Sequence, residues 1–192
     1  ELPLNFEMAA TNEMKDIALR LKPNAVCIVP EKRMEITTEG GLDLISQFDR
    51  LKSICHQLND NGLRISLFIE PDLRQIETAL KLEVPVIELH TGTYSELRAD
   101  NKENELKRIQ RAVDYANELG IECHAGHGLN YENVGPIASI KKITELNIGH
   151  FLIGEAVFVG LTNAIDKMKR IMAEARKVEA SNTDSPYNKR AL

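Results

Sequence analysis

Gly120-Ile121-Glu122-Cys123-His124-Ala125-Gly126-His127-Gly128 reads as a short buried strand that stops at a histidine followed by a glycine. Strand alternation sends Ile121, Cys123, Ala125 and His127 to one face, and Glu122, His124 and Gly126 to the other. His127 therefore stands at the carboxyl end, where a glycine allows the backbone to turn sharply and approach a ligand. Five other runs have the same build, with polar residues at or just beyond the carboxyl end. They are 3–9, 25–30, 64–70, 85–91 and 146–153.

Between these runs lie helical patterns. Thr11 can cap a helix with Met14, Ile17, Ala18 and Leu21 as its buried stripe. Leu42, Ile45, Phe48, Leu51, Ile54 and Leu58 mark a long amphipathic helix closed by Asn61-Gly62. Leu73 to Leu80 and Leu106 to Ala116 supply two more, 132–145 another with Gly135-Pro136 in its first turn, and Ala164–Lys177 the last. The run 146–153 is either one strand or a short strand ending near Gly149 with a short helix after it.

Strand and helix thus alternate six times, which implies parallel strands with right-handed crossovers. An open doubly wound sheet and a closed (β/α)8 barrel, the TIM barrel, both fit that order. The barrel is favoured because polar groups sit at many strand ends and no Gly-x-Gly-x-x-Gly follows a strand. A barrel needs eight units, so the chain is expected to carry only the last six βα units. The missing pair amounts to about 60 residues of a typical barrel of about 250. Residues 1–177 are expected to form the barrel domain and 178–192 a disordered tail, polar from Ser181 onward. Residue 1 lies almost directly before a strand, and the native protein is expected to be longer at its amino end.

The 192 residues are 43% hydrophobic and 28% charged, as in a soluble globular protein. A net charge of -5 argues against nucleic acid as partner but leaves small anions open. No apolar run approaches the roughly 20 residues of a membrane span. Cys27, Cys55 and Cys123 form an odd count without paired spacing, which points to buried free thiols in a reducing, cytoplasmic compartment.

Glu7 and Glu88 each interrupt an apolar strand. A buried carboxylate is costly unless paired, and its pKa rises toward that of a general base. The alternative for each is a structural ion pair, and two such residues on separate strands favour function. His124 and His127 stand three apart, so a strand would put them on opposite faces and deny one metal both. His127 is then the acid/base candidate, and His124 is expected between sheet and helices. Gly128, Gly149, His150 and Gly154 follow the last two strands, where barrels often bind phosphate, although turn glycines would look the same. Thr37 and Thr38, beside Gly40-Gly41, suit a mobile lid or a helix cap. His56 is expected at the surface, and Tyr94 with the charges at 96–105 in a solvated loop. A phosphosugar aldolase or epimerase with Lys32 as Schiff base is the competing enzyme reading, and a barrel piece serving only assembly is the non-enzymatic one.

Six stretches in order carry a resemblance: Asn5-Phe6-Glu7-Met8-Ala9-Ala10-Thr11, Val29-Pro30-Glu31-Lys32-Arg33, Thr37-Thr38-Glu39-Gly40-Gly41-Leu42-Asp43, Ile87-Glu88-Leu89-His90-Thr91-Gly92, Ala125-Gly126-His127-Gly128-Leu129-Asn130 and Leu146-Asn147-Ile148-Gly149-His150. Together they resemble the pyridoxine 5'-phosphate synthase family from residue 2 to about residue 177. The resemblance implies a (β/α)8 barrel, a homo-octamer, and a transferase of vitamin B6 biosynthesis. Its substrates would be 1-deoxy-D-xylulose 5-phosphate and 3-amino-2-oxopropyl phosphate, and it would use neither metal nor organic cofactor. It implies Glu7 as proton acceptor, Glu88 as the group steadying charged intermediates and His127 as proton donor. Thr37 would be a substrate contact, and Gly128, Gly149 and His150 would contact phosphate. The Asn, Asp-His and further His and Arg residues of the family's first two strands have no counterpart here.

Overall fold

A computed structural model describes residues 2–32, 35–37 and 40–183, the side chains of 99, 100 and 178–183 excepted. Its elements are β1 (Asn5–Ala9), α1 (Asn12–Leu21), β2 (Ala25–Val29), α2 (Phe48–Asp60), β3 (Arg64–Ile69), α3 (Leu73–Lys81) and β4 (Val86–His90). They continue with α4 (Gly92–Glu96), α5 (Ala99–Glu118), β5 (Glu122–Gly126), α6 (Val134–Ser139), β6 (Ile143–Asn147), α7 (His150–Val159) and α8 (Leu161–Thr183). The strands are all parallel and stand in the order β1-β2-β3-β4-β5-β6. A doubly wound sheet reverses its strand order partway, and this one does not. Asn5 of β1 and Glu145 of β6 line one cavity of about 290 Å³, so the sheet curls and its two ends approach one side. The molecule is an α/β half-barrel.

Alternation divides each strand between two environments. Met8, Val26, Ile28, Ile65, Leu67, Ile69, Ile87, Leu89, Cys123, Ala125 and Ile143 point outward into one apolar core shared with the helices. Each fully buried aliphatic side chain there is worth about 1.5–3 kcal/mol. A one-residue slip would move a strand's whole apolar set to the wrong face, so this core fixes the register. The inner face is left with Glu7, Cys27, Ser66, Phe68, Glu88, His90, Glu122, His124, Gly126, Glu145 and Asn147.

Thr11 caps α1 as expected, its hydroxyl accepting the Met14 N–H at 3.2 Å. The three cysteines are free and buried. The helix expected from Leu42 begins only at Phe48. Leu42 instead bridges Ile36 and donates its N–H to the Phe68 carbonyl at 2.8 Å, which carries the segment across the end of β3. The Asp43 carboxylate then accepts the Ile45 and Ser46 N–H groups and holds a turn where the periodicity suggested helix.

The helix expected over 132–145 is also shorter. It ends at Ser139, and Ile143 opens β6 three residues earlier than anticipated. The apolar run after it divides at Gly149, the N-cap of α7, so the short strand and helix is the arrangement found. α8 runs to Thr183, and the rest of the expected tail, 184–192, lies outside the described residues.

Candidate active site

Glu88 lies in the middle of β4 with its side chain on the inner face, 4% exposed. The Cys27 thiol donates to its Oε2 at 3.4 Å, and the Asn147 amide donates to the same oxygen at 2.7 Å. Neither partner carries a positive charge. Burial therefore dominates and pushes the Glu88 carboxyl up to about 7, with the charges of Glu7 and Glu145 acting in the same direction. Gly126, opposite His90 on β5, makes room for it: a Cβ there would stand 2.3 Å from Glu88 Oε1 and 2.9 Å from the Asn147 carbonyl. Cys27 is held well above its ordinary value, first by burial and then by Glu88 beside it, so it remains a thiol.

Glu7 shares this face. It pairs in register with Cys27, and its carboxylate is close enough to raise the proton affinity of both Cys27 and Glu88. Because β1 ends the sheet, Glu7 is exposed rather than enclosed.

His127 comes one residue after β5, with φ at +83°. That left-handed turn breaks the alternation and brings its ring to the His90 side, with ring centroids 4.8 Å apart. Thr91 secures the turn, its hydroxyl lying 2.7 Å from the carbonyl oxygens of both Gly126 and His127. The His127 imidazole is held below its ordinary proton affinity, chiefly by burial and then by repulsion from His90, with His150 adding to the effect and Glu96 opposing it.

Gly128 follows at φ +76°, its Cα packed where a Cβ would meet Ser95. Asn133 accepts the Asn130 N–H at 2.7 Å and donates to the Gly128 carbonyl at 3.0 Å, which fixes the loop after His127. Gly149 and His150 form the amino end of α7, and Gly154 lies within that helix. Thr37 sits in the segment after β2, where its hydroxyl accepts the Gly40 N–H at 3.3 Å and Gly40 leans on the His90 ring. Thr38 lies outside the described residues. The structure thus gathers Glu7, Glu88 and His127 along the inner face toward the carboxyl ends of the strands, with Thr37 and Gly128 beside that mouth.

Three expectations need correction. His124 does not sit between sheet and helices. It pairs in register with Glu88 on the inner face, lower down, where its Nε2 meets Glu122 at 2.8 Å. The opposite-face argument for His124 and His127 fails because regular alternation stops at Gly126. Even so, among the described residues no three His, Cys, Asp or Glu side chains converge as a metal's ligands would. Tyr94 is not solvated but almost fully buried in α4, its hydroxyl donating to the Asn133 carbonyl at 2.9 Å. His56 is exposed on α2, as anticipated, and Lys32 is exposed in the loop after β2.

Sequence reasoning missed Cys27, Asn147, Glu70 and His90 as site residues. Glu70 follows β3 directly, and its Oε1 lies 2.7 Å from His90 Nδ1. Alternation already places His90, two residues after Glu88, on the same face; only its role is not legible there.

A half-barrel of parallel strands with Glu70, His90 and His127 at or just beyond their carboxyl ends is the arrangement of barrel-type enzymes, whose reacting groups stand at those ends. Residues 1–174 match the model of the family described as "Pyridoxal phosphate biosynthesis protein PdxJ", and the chain belongs to that family of vitamin B6 biosynthesis enzymes. It is 58% identical over 175 residues to pyridoxine 5'-phosphate synthase of Zymomonas mobilis, covering 91% of this chain and 68% of the relative. It is 56% identical over 176 residues to the Rhodospirillum rubrum protein of the same name, covering 91% and 71%. Its fold is similar to that of a chain in the crystal structure of the Amycolatopsis orientalis BexX/CysO complex. There the TM-score is 0.58 at 14% identity over 87% of this chain and 64% of that one, a likeness of fold alone. Among the described residues no helix is long and apolar enough to cross a membrane.

Proposed function

We propose that the chain is a pyridoxine 5'-phosphate synthase, a transferase condensing 1-deoxy-D-xylulose 5-phosphate with 3-amino-2-oxopropyl phosphate. The products are pyridoxine 5'-phosphate, inorganic phosphate and water. The observation that carries this reading is the Glu88 carboxyl, brought to about 7 on the inner face, with a weakly basic His127 at the mouth above it. Imine formation, dehydration, phosphate loss and ring closure all move protons at several atoms of one intermediate. Groups that change ionisation near neutrality do this best.

Glu7, at the open end of the face, takes a proton from substrate. Glu88 steadies positive charge on the intermediate when ionised and returns a proton when neutral. His127 donates: its depressed proton affinity makes the imidazolium rarer at neutral pH but a stronger acid once formed. Gly128, in the loop after β5, and Gly149 and His150, at the amino end of α7, hold phosphate, and Thr37 contacts substrate from the loop after β2. Residues 1–177 act as one barrel domain lacking its first two βα units. The protein works in the cytoplasm as a homo-octamer on small phosphorylated substrates, without nucleic acid, membrane, metal or organic cofactor.

The test is an assay for pyridoxine 5'-phosphate with Glu88→Gln and His127→Asn beside the unaltered chain. Both substitutions are expected to lower turnover by about 10²- to 10⁴-fold. Unchanged turnover in both would overturn the assignment.

A further inference from the structure

Behind His127 lies a second carboxylate–imidazole pair to which the reaction above gives no part. Glu70 and His90 are both buried, at the ends of neighbouring strands. Glu70 Oε1 accepts the Gly41 N–H at 3.1 Å and lies 2.7 Å from His90 Nδ1, while Oε2 takes Arg108 at 3.1 Å. A carboxylate only accepts, so Nδ1 carries the proton of this bond. The His90 ring is closely confined. A Cβ on Gly92 would stand 2.5 Å from its Nε2 and one on Gly40 would stand 3.0 Å from its Cε1, while Phe68 meets its edge at 5.2 Å.

His127 differs from His90 in what orients it. Among the described residues its ring is placed by packing against His90 and Phe68, and not by a hydrogen bond. Glu96 and His150 are the other charged groups near enough to influence it.

We propose that Glu70 and His90 are positioning residues: the pair fixes the His127 ring and ties it to the Gly40–Gly41 segment, so that segment and imidazole are set together. This rests on the reading of His127 as a proton-transfer group. Glu70 is the common member, since one of its oxygens holds both the Gly41 amide and the ring that backs His127. A shift of the segment that breaks the Gly41 bond changes what Glu70 offers His90, and so where His127 points.

The pair is testable without turnover. In the isotopically labelled full chain, the His127 imidazole is followed by NMR across a pH titration and the Gly41 amide by hydrogen exchange. His90→Phe keeps a ring and loses the Glu70 bond. It is expected to shift the His127 titration midpoint and to lower Gly41 protection by about tenfold or more. Where turnover is measured, kcat should fall about 10- to 100-fold with KM nearly constant, as for a catalytic group displaced by a fraction of its working distance. His90→Asn, which keeps an N–H near the Nδ1 position but no ring, should restore most of the Gly41 protection, and Glu70→Gln, which keeps an acceptor and leaves the His90 ring in place, should keep most of both NMR signals. Unchanged His127 titration and unchanged Gly41 protection in folded His90→Phe would overturn the proposal. So would equal Gly41 protection in His90→Asn and His90→Phe, since only the first keeps an N–H for Glu70. Coupled NMR changes in a chain that makes no pyridoxine 5'-phosphate would uphold the pair and overturn the assigned reaction instead.

Discussion

Two glutamates on one face of adjacent strands, Glu88 and Glu122, have opposite proton affinities. Glu88 is enclosed, bonded to a thiol and an amide, and raised to about 7. Glu122 lies nearer the strand amino ends, its side chain 36% exposed, with Arg64 at 2.6 Å and His124 at 2.8 Å, and it is lowered to about 2. The Arg64 bond is the leading cause, and burial opposes it. The same residue type thus performs two tasks, determined by whether its neighbours bear positive charge. Glu122 stays ionised at neutral pH and, through Arg64, clasps β3 to β5, while Glu88 can exchange a proton there. His124 belongs to the clasp: among the described residues its Nδ1 is buried without a hydrogen bond, and Glu145 stands 3.4 Å away, in ion-pair range but poorly aligned.

The sharpest way to break this contrast is Glu88→Gln, which keeps shape and removes the exchangeable proton. Turnover should fall by about 10²- to 10⁴-fold, the full weight of a general acid/base, in a steady-state assay. The same variant should alter stability against pH. In the native chain the folded state holds the Glu88 proton between about 4.5 and about 7 while the unfolded state has lost it. Stability therefore falls as pH rises through that window, by on the order of 3 kcal/mol. Urea titrations at pH 4.5, 6 and 8 should show this slope in the native chain and its loss in Glu88→Gln; equal slopes in both would refute the assigned environment.

A smaller effect follows from crowding. Gly126→Ala inserts a methyl group 2.3 Å from Glu88 Oε1 and should cost about 1–3 kcal/mol as the carboxylate is displaced. Thermal melts and the pH profile of turnover would report the two consequences separately.

The least effect is expected at Glu122. Arg64→Ala removes the leading cause of the Glu122 depression and leaves the His124 and Thr144 bonds, so Glu122 should move part of the way back; the pair is half in solvent and screened, so the loss at pH 7 should be about 0.5–1 kcal/mol. What Glu122 contributes is present above about 4.5 and disappears as pH falls toward 2, the reverse of Glu88. Turnover in this variant should stay within about twofold of the native chain, because surface-type pairs away from the reacting groups act on stability alone.

Which of these features could be read in advance follows from how local their causes are. Glu88 amid Ile87 and Leu89, and Glu7 amid Phe6 and Met8, announce inward carboxylates through period-two patterning alone. The six strands are legible in the same signal, and the barrel in the polar groups at many strand ends and the missing Gly-x-Gly-x-x-Gly. The environment of Glu88 did not, because Cys27 and Asn147 reach it from 61 and 59 residues away in sequence. His127 was chosen for its place before Gly128, yet alternation assigned it to the wrong face. Only the left-handed turn explains how it reaches His90. His124 was misplaced by the same rule, and Tyr94 because a buried hydroxyl bond to Asn133 leaves no mark in a polar stretch. The Leu42 to Gln47 segment shows a local pattern overridden: its helical spacing gives way to hydrogen bonds with the end of β3.

The backbone at His127 favours a residue that chemistry does not. Glycine would relax that conformation by roughly 1–2 kcal/mol, while the imidazole requires an L-amino acid in a region most of them avoid. A directed-evolution campaign rewarding heat tolerance alone would be drawn to His127→Gly, and if His127 donates the proton as proposed, its sturdier winners would be catalytically impoverished.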